Sequence, residues 1–467
     1  MSEKPQTNRR DFLRVAGGVA GGLVVGGVVG ALAFPRAPET ITKTIKETLT
    51  QTVGAGTVTQ TSTVTNTVTR EVTKEVEVPA AKKGWEGKRW IPIVNKFMTF
   101  KEVQDTLASE GNGIVANWTY WGLTDTAFVQ EFKEYVATMY DVDVKMRILG
   151  TQEAKGGFMF QLYSAYAAGL TAPYDLMHLE VNFFEEGVAK EVAEPFLPSP
   201  LVPTAQMVDY YFLLFPYGVQ FQNHALANFT VNTKNVGNWF NSWKALADPR
   251  LKEKITLWVF EDNGFWGFLV MMAQELGKNY RNPNDMREVL KWMAENIHPN
   301  VLKYTSDEAE LDELLGRDIS WASAYWCALA EGYSVTRPEL KGSQVLPWQF
   351  TSPHVNLPGV YWIPKNVEHP LMAQVLADFY ISPLHQFPNI NKYTQYTKEL
   401  WLRTEEGLLG QDYAQFVPDW VNALGPKGIH EVYPTIEQAR KFPKIDWLYV
   451  NENAPEWINT YKELIGA

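Results

Sequence analysis

An α/β body behind an export-type N-terminus is the architecture this sequence predicts. Three observations predict it. A short basic start runs into twenty uncharged residues, Val15 to Phe34. A Thr-rich stretch follows. From about residue 110 on, short apolar runs alternate with segments of helical spacing.

Composition sets the outer bounds. The chain has 467 residues, 45% hydrophobic and 20% charged, with 33 Gly and 27 Pro. At roughly 150 residues per domain, two or three domains fit. This composition excludes a collagen, a disordered chain, a coiled coil and a multi-spanning membrane protein. The single cysteine, Cys327, excludes an internal disulfide framework and a thiolate metal centre. The first 84 residues hold 11 basic and 7 acidic groups. Of 42 and 53 in all, 31 and 46 remain for the body, a net charge of −15. So acidic a body does not suit nucleic acid, which needs a basic face.

Residues 1–36 read as a signal or membrane anchor. Lys4, Arg9, Arg10 and Arg14 precede the apolar run. Asn8-Arg9-Arg10-Asp11-Phe12-Leu13-Arg14 resembles the twin-arginine export signal, with Arg14 where Lys is usual. Ala31-Leu32-Ala33 offers a cleavage site. Yet twenty residues at about 1.5 Å each also span a bilayer core. Cleavage and retention both stay open, so the chain is expected outside the cytoplasm, tethered if uncleaved.

Residues 37–84 read as a linker or stalk. Fourteen threonines fall in residues 40–73, mostly alternating with Val, Lys or Glu. Such alternation fits a strand, but both faces are polar and nothing drives burial. A spacer, spanning on the order of 35 Å as a flexible chain, is the favoured expectation.

The body starts with a strand at Ile114–Asn117. A helix follows Asp125 through Phe128, Val129, Phe132, Val136 and Met139. A strand resumes over Val142–Ile148, and a helix begins at Gly156-Gly157. Asp175–Leu179 is the third strand. This β-α-β-α-β order predicts one parallel sheet with its ligand outside the carboxyl ends of the strands. Further on, strands are expected over Thr256–Phe260, Ile319–Ala324, Val345–Phe350 and Val360–Ile363. Helices are expected through Leu269–Leu276 and Ala373–Tyr380.

Four segments resemble the family 1 extracellular solute-binding proteins of ABC importers, on their polyamine side. Asn232-Thr233-Lys234 is similar to a Tyr-Asn-Thr-Lys segment, with Val231 in place of Tyr. Ser242-Trp243 through Leu246 to Pro249 is similar to Ser-Trp-x-x-Leu-x-x-Pro. Ile363-Pro364-Lys365 with Ser382-Pro383, and Asp446-Trp447 with Pro455-Glu456-Trp457, resemble two later motifs. The resemblance covers residues 110–467. It implies a two-lobe periplasmic-binding-protein-like fold of type II, with two hinge crossings. Lobe I would be 85–224 and 356–467, and lobe II 225–355. The crossings would fall near Gln220–Leu226 and Trp348–Val355. It implies a small-molecule solute and an ABC permease as partners, with no cofactor, no metal and no catalysis.

The loops expected at the crevice supply the candidate ligand residues. Trp118, Tyr120 and Trp121 follow the first strand. Trp266, Trp321, Tyr325, Trp326 and Trp348 come from later loops. Aromatic faces attract ammonium groups or stack on sugars, although Trp and Tyr also fill cores. Glu180, Glu261, Asp262 and Glu331 could pair a cation, because a buried ammonium is costly unless paired. Solvated loop charge and helix capping are the plain alternatives. Asn182, Asn223, Asn263 and Gln349 could serve sugar hydroxyls. Polyamine or another organic cation is favoured, with sugar second. Tyr210-Tyr211, in an apolar run, reads as core. Asn117 and Asn228 head glycosylation sequons.

No nucleophile elbow, zinc-protease helix, P-loop or dinucleotide fingerprint occurs. A carbohydrate-active enzyme with paired carboxylates, an exported redox protein and a surface-layer structural protein remain the alternatives.

Overall fold

The computed structural model describes residues 43–53, 56–66, 84–119, 126–151, 156–206, 213–222, 228–325, 337, 339–342, 351–352, 357–382, 385 and 440–467. The chain divides into two units, Met1–Ala81 and Lys82–Ala467. The export-signal and anchor readings fall on residues outside the described ones. Among the described residues, no helix is long and apolar enough to cross a membrane.

In the first unit the structure departs from the expected spacer. Strand β1 (Lys43–Val53) pairs antiparallel with β2 (Gly56–Asn66), from Lys43↔Asn66 to Val53↔Gly56. The reason is local. β-Branched Thr and Val favour extended backbone, and two such strands satisfy each other's backbone groups without a core. The register sets Thr44 opposite Thr65, Thr48 opposite Thr61 and Thr50 opposite Thr59.

The second unit opens with a hairpin, β3 (Lys88–Ile91) and β4 (Lys96–Thr99). Helix α1 (Phe100–Glu110) starts on a capping box between Thr99 and Glu102. Strand β5 (Asn112–Thr119), helix α2 (Thr126–Tyr140) and strand β6 (Lys145–Thr151) form a parallel crossover unit. Helix α3 (Gly156–Ala167) leads to β7 (Met177–Glu180), α4 (Val181–Ala189) and β8 (Ala193–Glu194). Then come β9 (Leu213–Leu214) and β10 (Gly218–Gln222).

The next strands belong to another sheet. These are β11 (Asn228–Asn232), β12 (Ile255–Leu257), β13 (Val301–Tyr304), β14 (Ala322–Tyr325) and β15 (Leu340–Gly342). Between them run α5 (Asn263–Glu275), α6 (Pro283–Asn296) and α7 (Glu308–Gly316). Strand β16 (Gly359–Pro364) and helix α8 (Pro370–Ile381) return to the first sheet. Helix α9 (Trp447–Ile465) ends the chain and packs on both α6 and α4.

The two sheets share one plan. In the first, β6 pairs with β5, β5 lies beside β7, and the order continues β7-β16-β10. In the second, the order is β13-β12-β14-β11-β15. Strand β12 is parallel to β13 and β14, while β11 is antiparallel to its neighbours β14 and β15. In the first sheet β16 is antiparallel to β7 and β10. Each reversed strand is the first one laid down after the chain passes from the other sheet. One expectation is corrected here. The third strand, β7, takes its described ladder from β16 and not from an all-parallel run, because a strand arriving from the other sheet occupies that edge. The expected Thr256–Phe260 strand is also shorter, ending at Leu257.

Strand alternation divides the core in two. Leu179, Val360 and Trp362 face a cluster that continues through the second sheet to α9. Val219, Tyr361 and Ile363 face the other, built with α1, α2 and α8. Buried carboxylates tie this second core together. Helix α8 has His369 at its N-cap position with no side-chain cap. Glu110 instead accepts from the Met372 backbone N–H (2.8 Å), and Asp175 from that of His369 (3.0 Å). Asp378, fully buried, accepts from the Tyr135 hydroxyl (2.5 Å) and the Thr204 N–H (2.9 Å).

Burial pushes the Glu110 carboxyl up to about 7 and that of Asp378 up to about 6. A carboxyl raised in the folded state binds its proton more tightly there than in the unfolded chain. Its penalty is absent below the unfolded value, grows as pH rises from there to the folded one, and is constant above it. The fold is therefore expected to lose stability between about pH 4 and about pH 7. Glu110→Gln keeps the acceptor for Met372 and should flatten that slope, measured by urea unfolding across the range.

Candidate functional site

The crevice at the carboxyl ends of the parallel strands is the place to look for a ligand in such sheets. In the first sheet β7 ends at Glu180, which is also the N-cap residue of α4 and is buried. Its backbone pairs with Gly359 of β16. The next N–H, of Val181, donates to the Pro358 carbonyl (2.8 Å). The residues that carry the chain back into the first sheet thus hold the first turn of α4.

In the second sheet β12 ends at Leu257. The chain then turns through Trp258 to Asp262, the N-cap of α5. Asp262 accepts from the Gly264 N–H (2.7 Å). Gly264 is obligatory here, since a Cβ would sit 2.9 Å from the Trp258 indole. Trp258 is fully buried in the aromatic core of the second sheet.

Three asparagines join these two helix starts. Asn182, in the first turn of α4, is fully buried. Its Oδ1 accepts from Asn263 Nδ2 at the start of α5 (3.4 Å), and its Nδ2 donates to Asn451 Oδ1 on α9 (3.3 Å). Asn451 Nδ2 donates to the Asn182 carbonyl (3.2 Å). One side chain from each sheet meets at this point, with α9 as the third party. Beside it, Glu185 of α4 lies near Asp446 and the Trp447 N–H. Burial, reinforced by the Asp446 charge, pushes its carboxyl up to about 7.

The structure thus brings together four of the residues named from sequence: Glu180, Asn182, Asp262 and Asn263. It places others elsewhere. Glu261 points to the surface, two-thirds exposed, and pairs with Lys462 of α9 at 2.7 Å. That hydrogen bond holds its carboxyl below the usual range. Trp266 is half-buried and spends its indole N–H on the Phe260 carbonyl (2.9 Å). Trp321 is corrected outright. It precedes β14, where its N–H donates to the Lys254 carbonyl (2.8 Å), so it sits at the amino ends of the strands. Tyr325 closes β14 at the opposite, carboxyl end. Trp118 lies in β5 opposite Gly150. Tyr120, Trp121, Trp326 and Trp348 lie outside the described residues, as do Glu331, Asn223, Gln349, Tyr210 and Tyr211.

Asn451 escaped the sequence reading. It sits 269 residues from its partner, in a helix whose spacing advertises only a core face. Among the described residues, no group of three or more His, Cys, Asp or Glu is placed to hold a metal ion.

No protein-family model matches the chain, and no curated protein matches it in sequence. Solved structures do match in fold. The spermidine/putrescine ABC transporter substrate-binding protein PotD of Streptococcus pneumoniae superposes with a TM-score of 0.53 at 14% identity, over 76% of this chain and 99% of that one. The TpPotD lipoprotein of Treponema pallidum gives 0.52 at 17%, over 75% and 99%. The periplasmic binding protein AfuA of Actinobacillus pleuropneumoniae, with fructose-6-phosphate bound, gives 0.51 at 14%, over 76% and 99%. The chain has the two-lobe α/β fold of these binding proteins.

Asn451→Ala would remove two hydrogen bonds made to the fully buried Asn182. A loss of about 1–3 kcal/mol in unfolding free energy is expected, read from denaturant titration of the variant against the parent.

Proposed function

We propose that this chain is an extracytoplasmic substrate-binding protein of an ABC importer. It captures a small organic cation of the polyamine class between its lobes and hands it, chemically unchanged, to a permease. The observation that carries this reading is the fold, which spans 99% of a spermidine/putrescine-binding protein. The buried carboxylate of Glu180 at the crevice supports the cationic ligand. A desolvated ammonium needs such a partner. Asp262, half-buried across the crevice, offers a second carboxylate.

The lobes are residues 85–224 with 356–467, and residues 225–355. The crossings lie between β10 and β11 and between Ser352 and Leu357. Ser352 still bonds to residues packed on the second sheet, donating to Glu275 Oε2 at the end of α5 (2.8 Å) and accepting from the Trp243 N–H (2.8 Å), while Leu357 is buried in the shared core. Closure bends these crossings, and a ligand favours it by touching both lobes only when they are closed. Residues 1–36 act as a twin-arginine signal or a retained anchor, and residues 37–84 as the link to the body.

Sugar is the second reading, favoured by the asparagine amides around Asn182. A thermal-shift panel separates the two. Spermidine or putrescine at about 100 times its dissociation constant should stabilise the fold by about 2.7 kcal/mol. The shift should fade with salt and largely vanish in Glu180→Gln, with the polyamine recovered intact. A shift with sugars alone overturns the cation reading and keeps the receptor. No shift with either class overturns the receptor.

A further inference from the structure

The β3–β4 hairpin carries a surface at odds with the rest of the body. One face is built in: Ile91 and Met98 are buried, and the Trp85 indole N–H donates to the Met98 carbonyl (3.3 Å). The other face is open. Trp90 and Phe97 stand directly opposite in the ladder with ring centroids 5.1 Å apart. They are 41% and 59% exposed. A single exposed aromatic is ordinary on a soluble protein, but two in contact with no cover make a patch.

The charge around the patch is reversed. Residues 85–101 hold four basic groups and one acidic, in a body whose net charge is −15. Lys88, Arg89 and Lys96 are exposed, and none of the three is ion-paired among the described residues. Of the carboxylates beside it in the chain, Glu102 is engaged in the capping box of α1, and Glu86 is exposed. The capping box and the Trp85 hydrogen bond fix the hairpin to the body, so the patch is presented by a rigid element.

We propose that this hairpin docks on an anionic lipid surface. Trp and Phe would enter the headgroup boundary, where amphipathic rings settle. Lys88, on the aromatic face, would pair with lipid phosphates, and Arg89 and Lys96, exposed on the other face of the same short ladder, would add to the attraction, at about fivefold in affinity for each cation. Two features favour a bilayer over a protein partner. The charged groups of residues 88–99 are all basic and exposed, as an anionic surface requires. The hairpin is also the first element of the body after the segment that carries the uncharged run Val15–Phe34.

The test is hydrogen–deuterium exchange of the full chain, reconstituted in phosphatidylcholine vesicles with and without phosphatidylglycerol. A local readout separates the hairpin from any anchoring by residues 15–34. Amides of residues 88–99 should exchange several-fold more slowly with phosphatidylglycerol present, and the rest of the body should not change. The protection should be lost in Lys88→Glu/Arg89→Glu/Lys96→Glu and in Trp90→Ala/Phe97→Ala. Unchanged exchange elsewhere in those variants certifies the fold. Equal exchange in both vesicle types overturns the proposal, as does protection that survives the charge reversal. Protection in detergent alone that rises with protein concentration also overturns it, in favour of self-association.

Discussion

Strand β16 is buried along all six of its residues, and its two faces feed two different cores. It runs against its neighbours because it comes from the other sheet. Without it β7 and β10 would have no common partner, and the first sheet would split. Its sequence, Gly-Val-Tyr-Trp-Ile-Pro, is nearly all apolar, as a strand covered on both sides must be. Gly359 opens it opposite Glu180, so the strand that seals the core also sets the backbone of the crevice.

The crevice follows from the same constraint. Parallel strands end together, and the helices that leave them start together. Helices α4 and α5 bring their first turns to within one amide contact, Asn182 to Asn263. Amide side chains suit such a meeting point. Each both donates and accepts, so a small rearrangement can re-pair them without leaving a charge stranded. Carboxylates nearby occupy graded settings, from Glu261 on the surface, held ionised by Lys462, to Glu185, pushed toward its neutral form by burial.

Legibility in the sequence tracked the range of the forces involved. The crossover unit β5-α2-β6 and the helices α5 and α8 were readable, because local apolar periodicity fixes them. The reversed placement of β16 was not, since its own residues say only that it is buried on both faces. Trp321 shows the same limit: a tryptophan beside a strand is equally plausible at either end, and the pairing with Lys254 that decides it lies 67 residues away. The Thr-rich hairpin is hidden for another reason: its strands present no apolar face, and their pairing rests on backbone bonds between β-branched residues rather than on burial. Asn451 left no trace, because its importance comes wholly from its partners.

Helix α9 follows both sheets in the chain, yet Trp447, Val450, Ala454, Trp457, Ile458 and Tyr461 are all buried in the cluster that the two sheets share. Until those residues dock, the flanks of α4 and α6 have nothing to close against. The body is thus a late finisher: its sheets can pair first, but its core is completed only when this helix arrives. A chain cut before Asp446 would leave those flanks uncovered, a natural target for holdase chaperones and for degradation.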